Sequence, residues 1–244
     1  MKIYELKDIS YSYFKGKVAL DNINLEISAG EKVAVIGPNG CGKTTLLSIL
    51  DGLLFPNFGE IKAFGEILNE TKLENPEFNI NFRKKTGYVF QNPDVMLFCP
   101  TVLDELSFGP LQLNIDNNEL KKRLEQMIEL FHLEKLLKAA PFSLSFGEKK
   151  RVALASVIIN NPEVILLDEP TTGLDPKNKN ILINLINKLN QNGKTIITAT
   201  HDYNVISEIS TRVEIFGEEN TIIKSLSHAN VSNNPEILCS AGLL

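Results

Sequence analysis

The chain has 244 residues, 43% of them apolar, a formal charge of −5 and no basic cluster longer than three residues, as at Lys149-Lys150-Arg151. This is enough for a packed core of one large or two small domains, and it leaves no electrostatic footprint for nucleic acid. No apolar stretch nears the ~20 residues that span a bilayer, no signal-peptide core opens the chain, and Cys41, Cys99 and Cys239 lack C-x-x-C spacing, so a cytoplasmic chain with reduced thiols is expected.

Residues 3 to 9 and 18 to 27 alternate apolar and polar side chains (Ile3, Glu5, Lys7, Ile9; then Leu20, Ile23, Leu25, Ile27), the period of antiparallel strands. Ser28-Ala29-Gly30-Glu31 reads as a turn into an apolar run at residues 32 to 36, too uniform to be half exposed. A helix follows over Thr45 to Leu50, closed by Asp51-Gly52, and a further strand is expected at Tyr88-Val89-Phe90. From about residue 92 to 160 the period is helical, best at Leu120, Leu124, Met127, Ile128 and Phe131, with Asp116 and Glu119 spaced as a capping box. Buried strands are expected at Val164 to Leu167 and Ile196 to Ala199. Between them a helix over 177 to 191 carries Ile181, Leu182, Leu185, Ile186 and Leu189 inward and ends at Asn192-Gly193. After Gly217 the pattern is weak until Pro235. Apolar strands separated by helices imply an α/β fold with a mostly parallel sheet.

Residues Gly37-Pro38-Asn39-Gly40-Cys41-Gly42-Lys43-Thr44 fit the phosphate-loop pattern G-x-x-x-x-G-K-[ST], set between an apolar strand and a helix. Glycines let backbone N–H groups close on polyphosphate oxygens, and the helix that begins at Thr45 aims its positive end at the anion. Lys43 would reach the β- and γ-phosphates and the Thr44 hydroxyl would ligate Mg²⁺. The run Val164-Ile165-Leu166-Leu167-Asp168-Glu169 puts two carboxylates at a strand tip, where α/β sheets bind ligands. Asp168 is expected to hold Mg²⁺. Glu169, on the opposite side of the pleat, is expected to take a proton from the attacking water. Upstream of that strand, Ser145 and Glu148 have capping-box spacing at the head of an apolar helix, and that alone accounts for the pair.

Together these segments resemble the ATP-binding cassette (ABC) ATPases. The resemblance covers residues 1 to 225 and rests on seven motifs in order. Tyr13 falls at the adenine-stacking aromatic, residues 37 to 44 at Walker A, and Gln91 at the Q-loop glutamine that contacts Mg²⁺ and water. Residues 144 to 148 match the signature, 164 to 169 Walker B with its catalytic glutamate, Gly173-Leu174-Asp175 the D-loop, and His201 the switch histidine. The fold implied is a P-loop NTPase core (1–91 and 161–225) with an N-terminal antiparallel β-subdomain, a helical insertion (92–160) and a tail (226–244). The cofactors implied are ATP and Mg²⁺. Two cassettes, identical or paralogous, would sandwich ATP head to tail, with Ser145 and Gly147 of one facing the phosphates on the other. The family's usual signature, Leu-Ser-Gly-Gly-Gln, is altered by Phe146 and Glu148. Cys41, inside the phosphate loop, is expected to be open to alkylation and protected by ATP.

Asn92 to Phe98, Pro100-Thr101-Val102, Phe108-Gly109-Pro110 and the terminal Pro235-Glu236-Ile237-Leu238 with Ala241-Gly242-Leu243 resemble the energy-coupling factor branch. That branch imports cobalt, nickel or vitamins and often has glutamine at the position of Met96. The implied partners are a transmembrane scaffold and a membrane substrate-binding protein, at the cytoplasmic face of the cell membrane. Exposed Met96, Leu97 and Phe98 would suit a groove for the scaffold. The alternative is a soluble mechanical ATPase of the same superfamily, in DNA repair, chromosome maintenance or translation, although no coiled coil, zinc insertion or second cassette is evident.

Overall fold

The computed structural model describes residues 1–14, 16–227 and 229–230, so Cys239, His228 and the 235–243 segment lie outside the described residues. Strands β1 (Lys2–Phe14) and β2 (Lys17–Ser28) pair antiparallel, and β4 (Phe58–Ala63) and β5 (Glu66–Ile67) extend them in the order β2-β1-β4-β5. The second sheet is built from β3 (Lys32–Ile36), β6 (Thr86–Val89), β7 (Val164–Asp168), β8 (Thr195–Thr200), β9 (Arg212–Phe216) and β10 (Ile222–Ser227). Its order is β10-β9-β3-β8-β7-β6, parallel throughout except for the β9–β10 hairpin. The fold is the expected α/β architecture.

Strand alternation explains why the central strands are apolar on both faces. Val33 and Val35 of β3, Val164 and Leu166 of β7, and Ile197 and Ala199 of β8 join one core with β1, β2 and helix α1 (Lys43–Leu50). The intervening Ile165, Leu167 and Ile196 face a second core with the helices of the opposite layer. A strand buried on both faces cannot show a clean alternation in its sequence.

Between β6 and β7 lie α4 (Val102–Gln112), α5 (Asn117–Phe131) and α6 (Phe146–Ile158). The inner face of α5 is the one expected: Leu120 and Phe131 are buried, and Leu124, Met127 and Ile128 pack against the second core. Its cap is only half the expected box. Asp116 accepts the N–H groups of Asn118 and Glu119 at 3.0 Å, but the Glu119 carboxylate turns to Arg123 Nε at 2.8 Å. An available guanidinium one turn on outcompetes a single backbone N–H.

Helix α7 (Pro176–Gln191) buries Leu182, Ile183 and Ile186, whereas Ile181, expected inside, is 45% exposed. The short helices α2 (Glu70–Glu74) and α3 (Pro76–Lys85) were not expected, and they meet at Asn75, which ends one and caps the next. Helix α8 (Tyr203–Ile209) and strands β9 and β10 fill a stretch with little readable pattern. At the hairpin tip, Asn220 accepts the Asp21 N–H through its carbonyl and donates from Nδ2 to the Val18 carbonyl, both at 3.0 Å. Among the described residues no helix is long and apolar enough to cross a membrane.

Candidate nucleotide site

The loop between β3 and α1 turns inward because Gly42 takes φ +101°, a left-handed conformation, and a Cβ there would stand 2.2 Å from the Ala19 carbonyl oxygen. Glycine is thus required twice at one position, for the backbone angle and for contact with β2. No side chain caps α1, so its first N–H groups remain open to an anion. Lys43 Nζ donates to the Gly37 and Pro38 carbonyls at 2.7 and 2.9 Å, which anchors the ammonium over the loop.

The loop opens on a cleft of ≈380 Å³ lined by Tyr13, Asn39, Gly40, Gly42, Lys43, Thr44, Thr45, Gln91, Asp168, Glu169 and His201. Lys17, Val18 and Ala19 of β2 complete the wall; sequence reading missed them because Val18 and Ala19 carry no chemical signal and Lys17 is a single lysine outside any motif. The Tyr13 hydroxyl lies 3.1 Å from Thr45 Oγ1, and the Tyr11 ring packs edge-on against that of Tyr13 at 5.0 Å. An exposed aromatic held at a cleft mouth in this way can stack on a purine.

Asp168 is 3% exposed and accepts the Thr44 hydroxyl at 2.8 Å. Burial raises its pKa, against the opposing effect of the Thr44 hydrogen bond. A desolvated carboxylate beside a hydroxyl, with the Gln91 amide lining the same cleft, is an all-oxygen donor set that suits Mg²⁺ alongside phosphate oxygens.

Glu169 departs from expectation. The strand ends at Asp168, and Glu169 takes φ +44°, a left-handed conformation uncommon outside glycine. Its carboxylate is consequently turned toward β8 rather than alternating along the pleat. Oε1 accepts the His201 N–H at 3.0 Å and lies 2.6 Å from His201 Nδ1, while Oε2 accepts the Thr200 and Thr172 hydroxyls at 3.2 Å. Facing a carboxylate, Nδ1 must carry the proton. The His201 side chain remains 49% exposed, so the pair sits at the cleft with one member buried and the other accessible.

Six residues expected at a nucleotide do not line this cleft: Gly37 and Pro38, whose carbonyls hold Lys43, and Cys41, Asp175, Ser145 and Gly147, of which Ser145 and Gly147 are expected to face a partner's phosphates. Cys41 is buried with its thiol in the core beneath the loop, and burial raises its pKa, so the expected alkylation is corrected: the thiolate is both disfavoured and shielded. Asp175 caps α7 by accepting the Asn178 N–H at 3.0 Å, and it does not line the cleft. Ser145 and Gly147 are also outside it, and here the capping box is complete: Glu148 accepts from Ser145 N at 2.9 Å and from Ser145 Oγ at 2.6 Å. Among Met96, Leu97 and Phe98, Met96 is tucked in, its Sδ accepting the Phe90 N–H, and Leu97 packs on the second core. Phe98 alone is mostly exposed, at 67%, with its ring edge-on to Phe108.

A family model described as ABC transporter matches residues 20–172. The energy-coupling factor transporter ATP-binding protein EcfA of Methanococcus maripaludis is 39% identical over 243 residues, covering 100% of this chain and 86% of its own length. The nickel import ATP-binding protein NikO of Rhodobacter capsulatus is 44% identical over 215 residues, covering 87% of this chain and 84% of its own. Among solved structures, the dimeric post-hydrolysis state of the ATP-binding cassette MJ0796, bound to ADP and Pi, aligns with a TM-score of 0.83 at 31% identity, covering 93% of this chain and 99% of that one. A family model over more than half of the chain, and relatives alike along nearly all of it, make this protein a member of the ABC transporter family, an ATP-binding subunit and an ATPase.

Proposed function

We propose that the chain is the ATP-hydrolysing subunit of an energy-coupling factor importer for a nickel or cobalt ion or a vitamin, working at the cytoplasmic face of the membrane. The observation that carries the hydrolytic part is the Glu169–His201 pair beside Lys43 and Asp168 in one cleft. The likeness to proteins named for energy coupling and nickel import supports the importer. In this reading Tyr13 stacks on the adenine, and the backbone of residues 37 to 45 with Lys43 cradles the phosphates. Thr44, Asp168 and Gln91 would hold Mg²⁺, which when bound neutralises phosphate charge. Glu169 accepts a proton from the attacking water while His201 orients the γ-phosphate or offsets its charge.

Two copies, or this chain and a paralogue, would close head to tail; that the similar cassette MJ0796 is described as dimeric supports the pairing. The N-terminal end of α6, with Ser145 and Gly147, and the loop around Asp175 would then face the partner's nucleotide. Loss of the γ-phosphate would remove that bridge and reopen the pair. The helical segment 92–160 would receive the transmembrane scaffold, with Phe98 and Phe108 among its exposed apolar residues.

Affinity purification of the tagged chain from detergent-solubilised membranes of its own organism, with mass spectrometry, tests this reading. Co-purification of a polytopic membrane scaffold and a small integral binding protein is expected, and the binding protein would identify the cargo. Recovery only in the soluble fraction, with ribosomes or nucleic acid, would overturn import and leave ATP hydrolysis standing.

A further inference from the structure

Lys150 lies on the second turn of α6, yet it is 6% exposed and points away from solvent into the loop that follows β7. Its ammonium donates to the carbonyls of Glu169 at 3.1 Å, Pro170 at 3.0 Å and Thr172 at 2.6 Å. An ammonium has three protons, and here three carbonyls take them. One of those carbonyls belongs to the residue held at φ +44°, a backbone state that persists where its surroundings fix it.

The site is roofed by Phe146, whose ring centroid lies 5.4 Å from Lys150 Nζ. The same ring lies over Gly173, where φ is +77° and a Cβ would stand 2.7 Å from Phe146 Cε1. The departure from the usual signature glycine is therefore accommodated within the chain, with the aromatic shielding the lysine's bonds from water. The charged groups facing Lys150 are the Glu169 and Asp168 carboxylates, and against them burial still draws its pKa down to about 8. A lysine kept there despite desolvation holds the carbonyls in one arrangement.

We propose that Lys150 is a positioning residue for ATP hydrolysis: by clamping the Glu169, Pro170 and Thr172 carbonyls to the signature helix, it fixes the backbone that aims the Glu169 carboxylate. Lys150 is not among the residues that line the nucleotide cleft and acts through Glu169, so the inference rests on Glu169 being the base. Movement of the N-terminal end of α6, whether from a closing partner cassette or from the membrane side, thereby reaches the carboxylate directly.

The test uses the full chain with ATP and Mg²⁺ and compares Lys150→Met, Lys150→Arg, Lys150→Gln and Glu169→Gln. Displacing a catalytic group by about 1 Å can lower a rate on the order of 100-fold. Lys150→Met is therefore expected to lower kcat by about 10- to 100-fold while KM and the affinity for a fluorescent ATP analogue stay within about threefold. Lys150→Arg is expected to restore at least half of kcat, since arginine keeps a cation with donors for the same carbonyls. Lys150→Gln retains two donors and falls between them; it is the variant to read if Lys150→Met does not fold. A folded Lys150→Met or Lys150→Gln with wild-type kcat would overturn the proposal. So would a parallel loss of kcat, KM and affinity that arginine does not rescue. Glu169→Gln with wild-type kcat would instead remove the base assignment on which the proposal rests.

Discussion

Replacing Glu169 by glutamine separates base chemistry from structure unusually cleanly, because each carboxylate oxygen has its own pair of partners. Oε1 takes the His201 N–H and ring Nδ1, and Oε2 takes two hydroxyls, from Thr200 and Thr172. A backbone N–H cannot reverse its role, so the amide oxygen must replace Oε1. The amide NH₂ then faces two hydroxyls, and hydroxyls can turn to accept. All four contacts survive, so we expect a stability change of about 1 kcal/mol, or a Tm shift of roughly 2–4 °C for a chain of this size. What is lost is the proton acceptor, which is worth about 10²- to 10⁴-fold in rate, or about 3–5 kcal/mol of barrier. Steady-state ATPase assays beside analogue binding and thermal melting should show kcat falling by that range with binding unchanged. A loss of less than about fivefold in a folded variant would refute the role of Glu169, and a collapse of stability would refute the account of its partners.

Two further outcomes follow from burial. Asp51 is bonded to Arg83 at 2.8 Å, yet burial outweighs that cation and raises its pKa to about 6. The folded state therefore holds this proton more tightly than the unfolded chain does. The Asp51 contribution to stability is fully present below pH ~4 and is lost as pH rises through ~6, by up to about 3 kcal/mol. Denaturant melts across that window should show a shallower fall for Asp51→Asn than for the wild type, and parallel curves would contradict the burial argument. In iodoacetamide labelling followed by peptide mapping, Cys99, partly exposed, should react in the folded protein and Cys41 only after denaturation; rapid native labelling of Cys41 would show that the loop opens.

The residues gathered at the cleft were largely legible in the sequence, because chemistry there demands particular side chains at fixed spacings. Asn39, Gly40, Gly42, Lys43 and Thr44 of the phosphate loop, with Asp168, Glu169, Gln91 and His201, line one cavity. What could not be read was direction. Nothing in a string of letters tells that Glu169 turns left-handed out of its strand, or that the Cys41 thiol faces the core while its neighbours face the cleft. The first depends on a backbone angle fixed by tertiary contacts. The same holds for the fold. Strands β3, β7 and β8 stood out as apolar runs, whereas β5, with two exposed residues, and β10, mostly exposed at the sheet edge, had no burial pattern to reveal them. Lys150 was visible as part of a basic cluster, which usually means a solvated face; its burial came from the loop folded over it.

The Asn220 clasp gives the far end of the fold a stake in the near one. Asp21 and Val18, which it holds, sit on the strand whose tip forms a wall of the cleft, so a hairpin with none of the recognised motifs helps set the width of the nucleotide's berth. Sequence drift in that hairpin is accordingly less free than its plain appearance implies. Anyone trimming or fusing this chain should leave residues 212 to 227 intact, or find nucleotide affinity altered from a place where no nucleotide is bound.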